Sequence, residues 1–485
     1  MSIQNDAATP PPAQLNSPET EPFSPPAFDA NDFARTRVPD AAKRGAGSVL
    51  TVLVGFVTAF FFPLVGGLFL IQYGAAATWI GLVASFLVLI GFALVVTRIA
   101  SREGLTSELL TRGAGFGTVG SVLTTVIYAG TFVIYAGTEG QILASSIDLI
   151  WDLPNLVWYV LVAVIFLPMA WNGIRSMTKI LAYTLPIYFI LLIVAIVIAW
   201  RRSGGMPAGM FDAMPAGATG GLVGVLGVMA ALAGTIGINP FEASDYNRFI
   251  RAEDFKKKAF VSVVVPYLLL FFIAMPMGMY FTLSTGNYDP AIYFVGLLGL
   301  FPGVALAWIS QIRVNLTNLH VSSVAFTSAS ETTGARPLTR RFWLVVVTLI
   351  SIGLMASDVI GNLTTFLEWT GIFLLSWLAC VVADIVVVRG ALKIVTGPVE
   401  YREEHLPRFN IVGVSALLVA TVSGSLIWLL AESPILTSLA AFISFGIAFV
   451  VHVAVAVLTK GRTYFADPTD PRIAANNVAI RDKIG

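Results

Sequence analysis

Gly234-Thr-Ile-Gly-Ile-Asn-Pro-Phe-Glu-Ala-Ser-Asp-Tyr-Asn-Arg-Phe249 lies within a hydrophobic segment that begins near Gly221. A helix in hydrocarbon should not carry two glycines, an asparagine, a proline and two carboxylates so close together. Pro240 lacks a backbone donor and clashes with the preceding turn, which predicts a break just before it. Backbone groups freed in a bilayer are tolerated only where protein or a water-filled cavity satisfies them. The stretch therefore reads as a broken helix lining a site.

The surrounding composition says what kind of chain carries it. At 485 residues, 56% hydrophobic and 12% charged, with a mean hydropathy of +0.83, it reads as a polytopic membrane protein. A net charge of +1 gives no nucleic-acid signature. The single cysteine, Cys380, excludes an internal disulfide. The first hydrophobic run follows a polar tail, so it does not read as a cleavable signal peptide. Three scattered histidines and one cysteine offer no usual zinc site. Gly113-Ala-Gly-Phe-Gly117 lacks the P-loop lysine, so ATP-driven transport has no support.

Residues 1–45 hold eight of the 25 prolines and read as a disordered tail ending in a solvated, basic juxtamembrane stretch. Twelve hydrophobic segments follow, near 48–73, 76–98, 118–146, 156–172, 180–200, 221–246, 258–284, 303–328, 342–359, 364–388, 409–430 and 434–458. Placing the N-terminus inside leaves only Arg201 and Arg202 outside and Arg313 within a span. The positive-inside rule then puts both termini in the cytoplasm, with a C-terminal tail from 459 to 485.

Segment 1 has its own interruption, Phe60-Phe-Phe-Pro-Leu-Val-Gly-Gly67, with Pro63 and a glycine pair in mid-span. Segments 1 and 6 run in opposite directions with one five-helix unit between their starts. Paired interruptions of this kind are the pattern of a LeuT-type inverted repeat, giving a ten-helix core over 46–390 with two further helices over 391–458.

Segment 3 carries Tyr128, Thr131, Tyr135, Thr138 and Glu139 on one face. Glu139 lies near mid-membrane, where a carboxylate is costly unless paired or hydrated. It reads either as a functional group or as a structural, hydrogen-bonded one. Segment 8 places Gln311, Asn315, Asn318 and Ser322 on one face, and Arg313, Thr317 and His320 on roughly the opposite one. Arg313 calls for a carboxylate partner, with Glu139 and Glu242 as candidates. His320 reads either as a proton shuttle or as a satisfied interior histidine. Asp245 and Arg248, at the inner end of segment 6, read either as a gate or as a structural ion pair. Trp79, Trp158, Trp200 and Trp343 fit interfacial anchoring.

Four stretches, taken in order, resemble the nucleobase:cation symporter family, the purine–cytosine permeases and their hydantoin, allantoin and uracil relatives. They are Lys43-Arg-Gly leading to Gly66-Gly67; Arg102-Glu-Gly-Leu-Thr-Ser-Glu-Leu-Leu-Thr-Arg112; Asn239-Pro with Asp245-Tyr-Asn-Arg-Phe249; and Gln311-Ile-Arg-Val-Asn-Leu-Thr-Asn-Leu-His-Val-Ser-Ser323. The resemblance implies an all-helical LeuT-type fold, no cofactor, and a heterocyclic substrate held between segments 1, 3, 6 and 8. It implies that Tyr135 stacks on the substrate and Glu139 hydrogen-bonds it. Phe62, Gly66, Gly237, Asn239, Phe241, Asn315 and Asn318 complete the expected set. The coupling cation would be H+ or Na+, with Glu139, Glu242 and Arg313 as coupling residues and Asp245 and Arg248 as gating ones.

The chain departs from the family pattern in three places. Glu139 stands where a glutamine is usual. Ile236 stands where segment 6 usually offers a stacking aromatic, with Phe241 a turn later. A sodium site would fall at Phe61, Leu64 and Asn315, where segment 8 has Val314-Asn315 in place of a Ser/Thr pair and Arg313 adjoins it. A fixed positive charge there repels sodium, which tips the expectation toward proton coupling. The expected protein is thus a plasma-membrane secondary transporter importing a nucleobase-like heterocycle, not an enzyme and with no obligate protein partner. The alternatives are an amino-acid or amine carrier on the same fold and a non-transporting membrane sensor.

Overall fold

The computed structural model describes residues 33, 35–43, 45–150, 153–171, 174–334 and 338–474. Each of the twelve hydrophobic segments is helical. The first two segments comprise α1 (Ala46–Val57), α2 (Phe61–Tyr73) and α3 (Ala75–Glu103). A short α4 (Ser107–Thr111) precedes α5 (Val122–Asp148), α6 (Asn155–Trp171) and α7 (Ile174–Ser203). Then come α8 (Gly221–Ala231), α9 (Ala233–Asn247) and α10 (Phe255–Thr285). They are followed by α11 (Pro290–Leu298), α12 (Leu300–Thr332), α13 (Arg340–Ala356) and α14 (Leu363–Ala391). The last two are α15 (Ile411–Leu430) and α16 (Pro434–Leu458). Eight of the described helices are long and apolar enough to cross a membrane, and α2 and α6 are shorter apolar helices. Among the described residues no strand forms beyond one isolated bridge, Val395 to Ile473.

Helices that begin in polar loops are capped by side chains. Thr106, Asp289, Thr339 and Asn410 each accept an N–H from the first turn of the helix that follows. Packing sorts the core into two groups. In one, α2 lies on the second half of α10, from Met275 on, and α9 lies on α3; in the other, α5, α12 and α13 pack on one another. The pair α15 and α16 lies against α14.

Both expected interruptions exist, but each falls upstream of its proline. Segment 1 opens at Thr58–Phe60, between α1 and α2. Pro63 sits in the first turn of α2, where a missing N–H costs nothing. Segment 6 departs from helix for one residue, Leu232 (φ −87°, ψ −3°), and α9 then runs straight through Pro240. The Asn239 carbonyl, on the turn the proline loosens, accepts the Tyr267 hydroxyl at 2.7 Å.

The glycines near the breaks serve close packing. A Cβ on Gly66 would lie 1.9 Å from the Met275 carbonyl oxygen, and one on Gly278 would lie 1.8 Å from the Pro63 carbonyl oxygen. A Cβ on Gly237 would meet the Leu374 backbone at 2.7 Å. These positions let α2 touch α10, and α9 touch α14, backbone to backbone.

The end of the N-terminal stretch, read as solvated, is instead docked on the C-terminal ends of α3, α9 and α12. Val38 is buried and its N–H bonds the Gly104 carbonyl at 2.9 Å. Arg37 pairs with Glu103 at 3.0 Å, and Arg35 pairs with Glu331. Lys43 donates to the Ser101 and Arg248 carbonyls at 3.0 and 2.7 Å. Residues 1–32 lie outside the described residues. Beyond α16, Tyr464, Phe465 and Ile473 are buried against Val388, Val395 and Val412.

Candidate functional site

The site follows from how α5 and α12 lie against each other beside the opening of segment 1. Glu139, halfway along α5, is 1% exposed. Its carboxyl faces the Gln311 side chain and the backbone N–H of Phe61, the first residue of α2. Gln311 is fully buried, and Asn315 and Asn318, one and two turns further along α12, are nearly so. Asn315 also lies by α5, its Nδ2 3.7 Å from where a Cβ on Gly140 would stand. Beyond the contact of Glu139 with Gln311, Glu139 Oε2, Asn315 Oδ1 and Asn318 Nδ2 have no hydrogen-bond partner among the described residues. Buried polar groups are nearly always paired, so such a cluster marks a place for a polar ligand or water.

An aromatic wall adjoins it. The half-buried Tyr135 ring, one turn before Glu139, lies 4.9 Å from Phe61 at 58° and 5.9 Å from Phe132. Phe132 contacts Tyr128, and Tyr128 meets Trp377 of α14 edge-on at 6.2 Å. Trp377 stacks on Phe241 at 3.8 Å and 12°. Ring contacts thus run without a gap from the opening of segment 1 to segment 6.

Tyr135 and Glu139 lie one turn apart on α5, Asn315 reaches α5 beside Gly140, Asn318 is buried one turn further along α12, and Phe62 is half-buried and edge-on to Phe61 at 5.4 Å. Phe241 is fully buried and its ring face is covered by Trp377. Gly66 and Gly237 face neighbouring helices, and Asn239 offers its carbonyl to Tyr267. Leu64 is fully buried. The segment 8 hydroxyl that meets the opening of segment 1 belongs to Ser310, which donates to the Thr58 carbonyl at 3.2 Å; it stands more than a turn before Asn315. The Arg313 side chain lies outside the described residues. His320 is buried within α12.

Glu242 is half-buried on α9. It stands within electrostatic reach of Tyr128 and Tyr135 of α5, Tyr267 of α10, and Asp245 and Tyr246 of its own helix. Asp245 accepts the Ser107 N–H at 2.7 Å and its hydroxyl at 3.0 Å, tying segment 6 to α4. Arg248 is fully buried, donates to the Phe33 carbonyl at 3.0 Å and lies over the Phe249 ring. Both residues therefore join the C-terminal end of segment 6 to neighbouring elements, α4 and the N-terminal stretch.

Sequence reasoning had Gln311 on the polar face of segment 8 without assigning it to the site. Trp377 gave no signal of its own, because it lies among the largely apolar residues of segment 10, where an aromatic fits any buried helix.

Among the described residues the chain is thus an all-helical bundle with interruptions in segments 1 and 6 and a buried polar pocket between α5 and α12. Residues 64–403 match the family model described as permease for cytosine/purines, uracil, thiamine, allantoin. The chain belongs to this family, whose members are transporters rather than enzymes. Among solved structures it is similar to the inward-facing conformation of Mhp1, with TM-score 0.70 and 14% identity over 93% of this chain and 97% of that one. It is also similar to Mhp1, described as a nucleobase-cation-symport-1 family transporter, in a closed conformation with bromovinylhydantoin bound, with TM-score 0.64 and 14% identity over 90% and 98% of the two chains. A Na+-coupled sialic acid symporter gives TM-score 0.56 and 14% identity over 88% and 92%. At these identities the likeness shows the fold, which is that of the LeuT-type transporters. No curated protein sequence matches the chain.

Proposed function

We propose that this permease imports a nucleobase or related nitrogen heterocycle across the plasma membrane by symport with a cation, with both termini in the cytoplasm. The observation that carries the reading is the pocket between α5 and α12: unpartnered buried amide and carboxyl atoms beside the half-open Tyr135 ring. A planar, amide-bearing ring matches both parts, stacking on the tyrosine while pairing groups that otherwise stay unsatisfied. Mhp1, of the same fold, has a hydantoin bound. The two packing groups suit alternating access, one holding α2, α3, α9 and α10 and the other α5, α12 and α13. Substrate would lie at their seam.

The proposed coupling ion is a proton carried by Glu242. This carboxylate is half-buried, so water can reach it, and no cationic side chain of α5 or α10 is among the groups within its electrostatic reach. Symport requires only that the proton bind better to the substrate-competent state. In proteoliposomes, Glu242→Gln is expected to retain substrate counterflow and lose accumulation driven by an inward pH gradient. Accumulation that survives in this variant, or that follows a sodium gradient in the native protein, overturns the assignment.

Tyr135→Ala is expected to weaken heterocycle binding by about 1–3 kcal/mol, the usual cost of losing one base–aromatic stack. Tyr135→Phe should bind nearly as well as the native protein. Titration calorimetry with the best ligand checks both, and native affinity in the alanine variant places the site elsewhere.

A further inference from the structure

Resting on that symport reading, the short helix α4, which the pocket leaves unused, stands where one end of the pathway has to shut. α4 is fixed to the group that holds α5 and α12. Glu108 accepts the Ser328 hydroxyl at 3.2 Å and Arg112 Nη2 at 2.8 Å, and the same nitrogen donates to the Thr332 hydroxyl at 3.4 Å. Ser107 and Thr111, four residues apart, lie on one face of α4, and both are buried. The Ser107 N–H and hydroxyl donate to the two carboxylate oxygens of Asp245 on α9, at 2.7 and 3.0 Å. The Thr111 hydroxyl accepts Trp377 Nε1 of α14 at 3.0 Å, and the Trp377 ring stacks on Phe241 of α9 at 3.8 Å. Phe241 and Asp245 are again four residues apart, on one face of α9.

These contacts form two layers across the seam between the packing groups. Tyr128, which meets Trp377 edge-on, stands two turns before Tyr135 on α5. The Trp377 layer therefore lies between the pocket and the end at which α9 finishes, and the Asp245 layer lies one turn beyond it. On one side of both layers is α4; on the other are α9 and the α14 that packs on it.

We propose that Ser107 and Thr111 are positioning residues that bolt α4 to α9 and α14 and hold this end of the pathway shut, and that each transport cycle breaks and remakes both contacts. Alternating access requires the two groups to part at each end in turn. At this end, parting them separates Ser107 from Asp245 and Thr111 from Trp377. Water entering the opened seam then satisfies the carboxylate and both hydroxyls, so the open state strands no charge. Glu108 and Ser328 lie within one group and stay together throughout.

The test is a reversible cross-link in the full-length protein carrying Cys380→Ala, which removes the one native thiol. Ser107→Cys/Asp245→Cys puts two thiols across the seam, and Glu108→Cys/Ser328→Cys puts two within one group. Each pair is oxidised, or bridged with a short bifunctional thiosulfonate, in proteoliposomes. The probe is counterflow of labelled cytosine, uracil, allantoin or hydantoin, whichever the native protein exchanges fastest. The bridged seam pair is expected to lose at least about tenfold in counterflow and to regain it with reductant. Binding of the same ligand to the bridged protein should change by no more than roughly threefold, because the cross-link stops a motion and leaves the pocket in place. The control pair should keep counterflow within roughly threefold of its own reduced form. A bridged seam pair that still exchanges, a control pair that stops, or seam thiols that neither reagent can join overturns the bolt. Should the seam pair fail to fold, Ser107→Ala decides by amide hydrogen exchange. Residues 243–250 should exchange at least about threefold faster than in the native protein, with 320–332 unchanged, and a native rate over 243–250 overturns the bolt equally. A native protein that exchanges none of these rings overturns the symport reading and the bolt's role with it; exchange that is indifferent to the bridge overturns the bolt alone.

Discussion

Asp384→Ala is expected to destabilise the folded protein by about 3–5 kcal/mol, the cost of breaking a buried ion pair by removing one partner. Asp384 is fully buried near the C-terminal end of α14. Its carboxylate takes the Arg389 Nε at 2.7 Å and the Tyr464 hydroxyl at 2.5 Å, with His452 Nε2 3.7 Å away. Arg389 in turn donates to the Gly113 carbonyl at 2.8 Å and lies over the Tyr464 ring. One carboxylate therefore joins four parts of the chain: α14, α16, the glycine turn before α5, and the segment after α16. Without it the guanidinium stays buried and uncompensated. The measurement is thermal melting of detergent-purified protein followed by size-exclusion chromatography. The double variant Asp384→Ala/Arg389→Met should melt closer to the native protein than Asp384→Ala alone, because the stranded charge is gone. A single variant that melts with the native protein would show that water or another group already satisfies the arginine.

Asp384 also shows where sequence reading stops. From the chain alone it is one of three carboxylates near the ends of segments 9 and 10, with Arg389 five residues on. Its partners Tyr464 and His452 lie 80 and 68 positions away and share no pattern with it. The helical segments, the interruptions in segments 1 and 6 and the polar faces of segments 3 and 8 were readable, because hydropathy and helical period are local quantities.

The location of the openings was less legible. A proline marks strain, and the sequence puts the break at the mark. The structure puts it where packing allows: Pro63 occupies a first turn that needs no donor, and Pro240 is carried inside α9 with the Asn239 carbonyl taken up by Tyr267. Trp377 was invisible for the opposite reason, since an aromatic in an apolar run fits any buried helix. The docked residues 35–43 combine both difficulties. Their composition is that of a solvated tail, and they are ordered by carbonyls such as those of Ser101, Gly104 and Arg248, which no side-chain pattern encodes.

Gly278→Ala is expected to lower stability by more than the usual overpacking cost of about 1–3 kcal/mol, and to weaken ligand binding as well. The added Cβ would stand 1.8 Å from the Pro63 carbonyl oxygen, and 2.6 Å from the carbonyl carbon. A flexible side chain could swing aside; a backbone carbonyl in the first turn of a helix cannot. The second half of α10 and α2 must therefore separate. Phe61, at the start of α2, presents its N–H to Glu139 and its ring to Tyr135, so a shift of α2 displaces two walls of the pocket together. Gly66→Ala strikes the same contact from the other side, 1.9 Å from the Met275 carbonyl oxygen. Because both variants open one interface, the double variant should lose less than the sum of the two. Gly446→Ala is the control: nothing lies within 4 Å of its Cβ, and alanine favours helix over glycine by about 1 kcal/mol, so it should melt at or above the native temperature. Melting curves and calorimetric affinities on the four variants decide the matter. Native melting in Gly278→Ala would mean that α2 and α10 do not touch at this point.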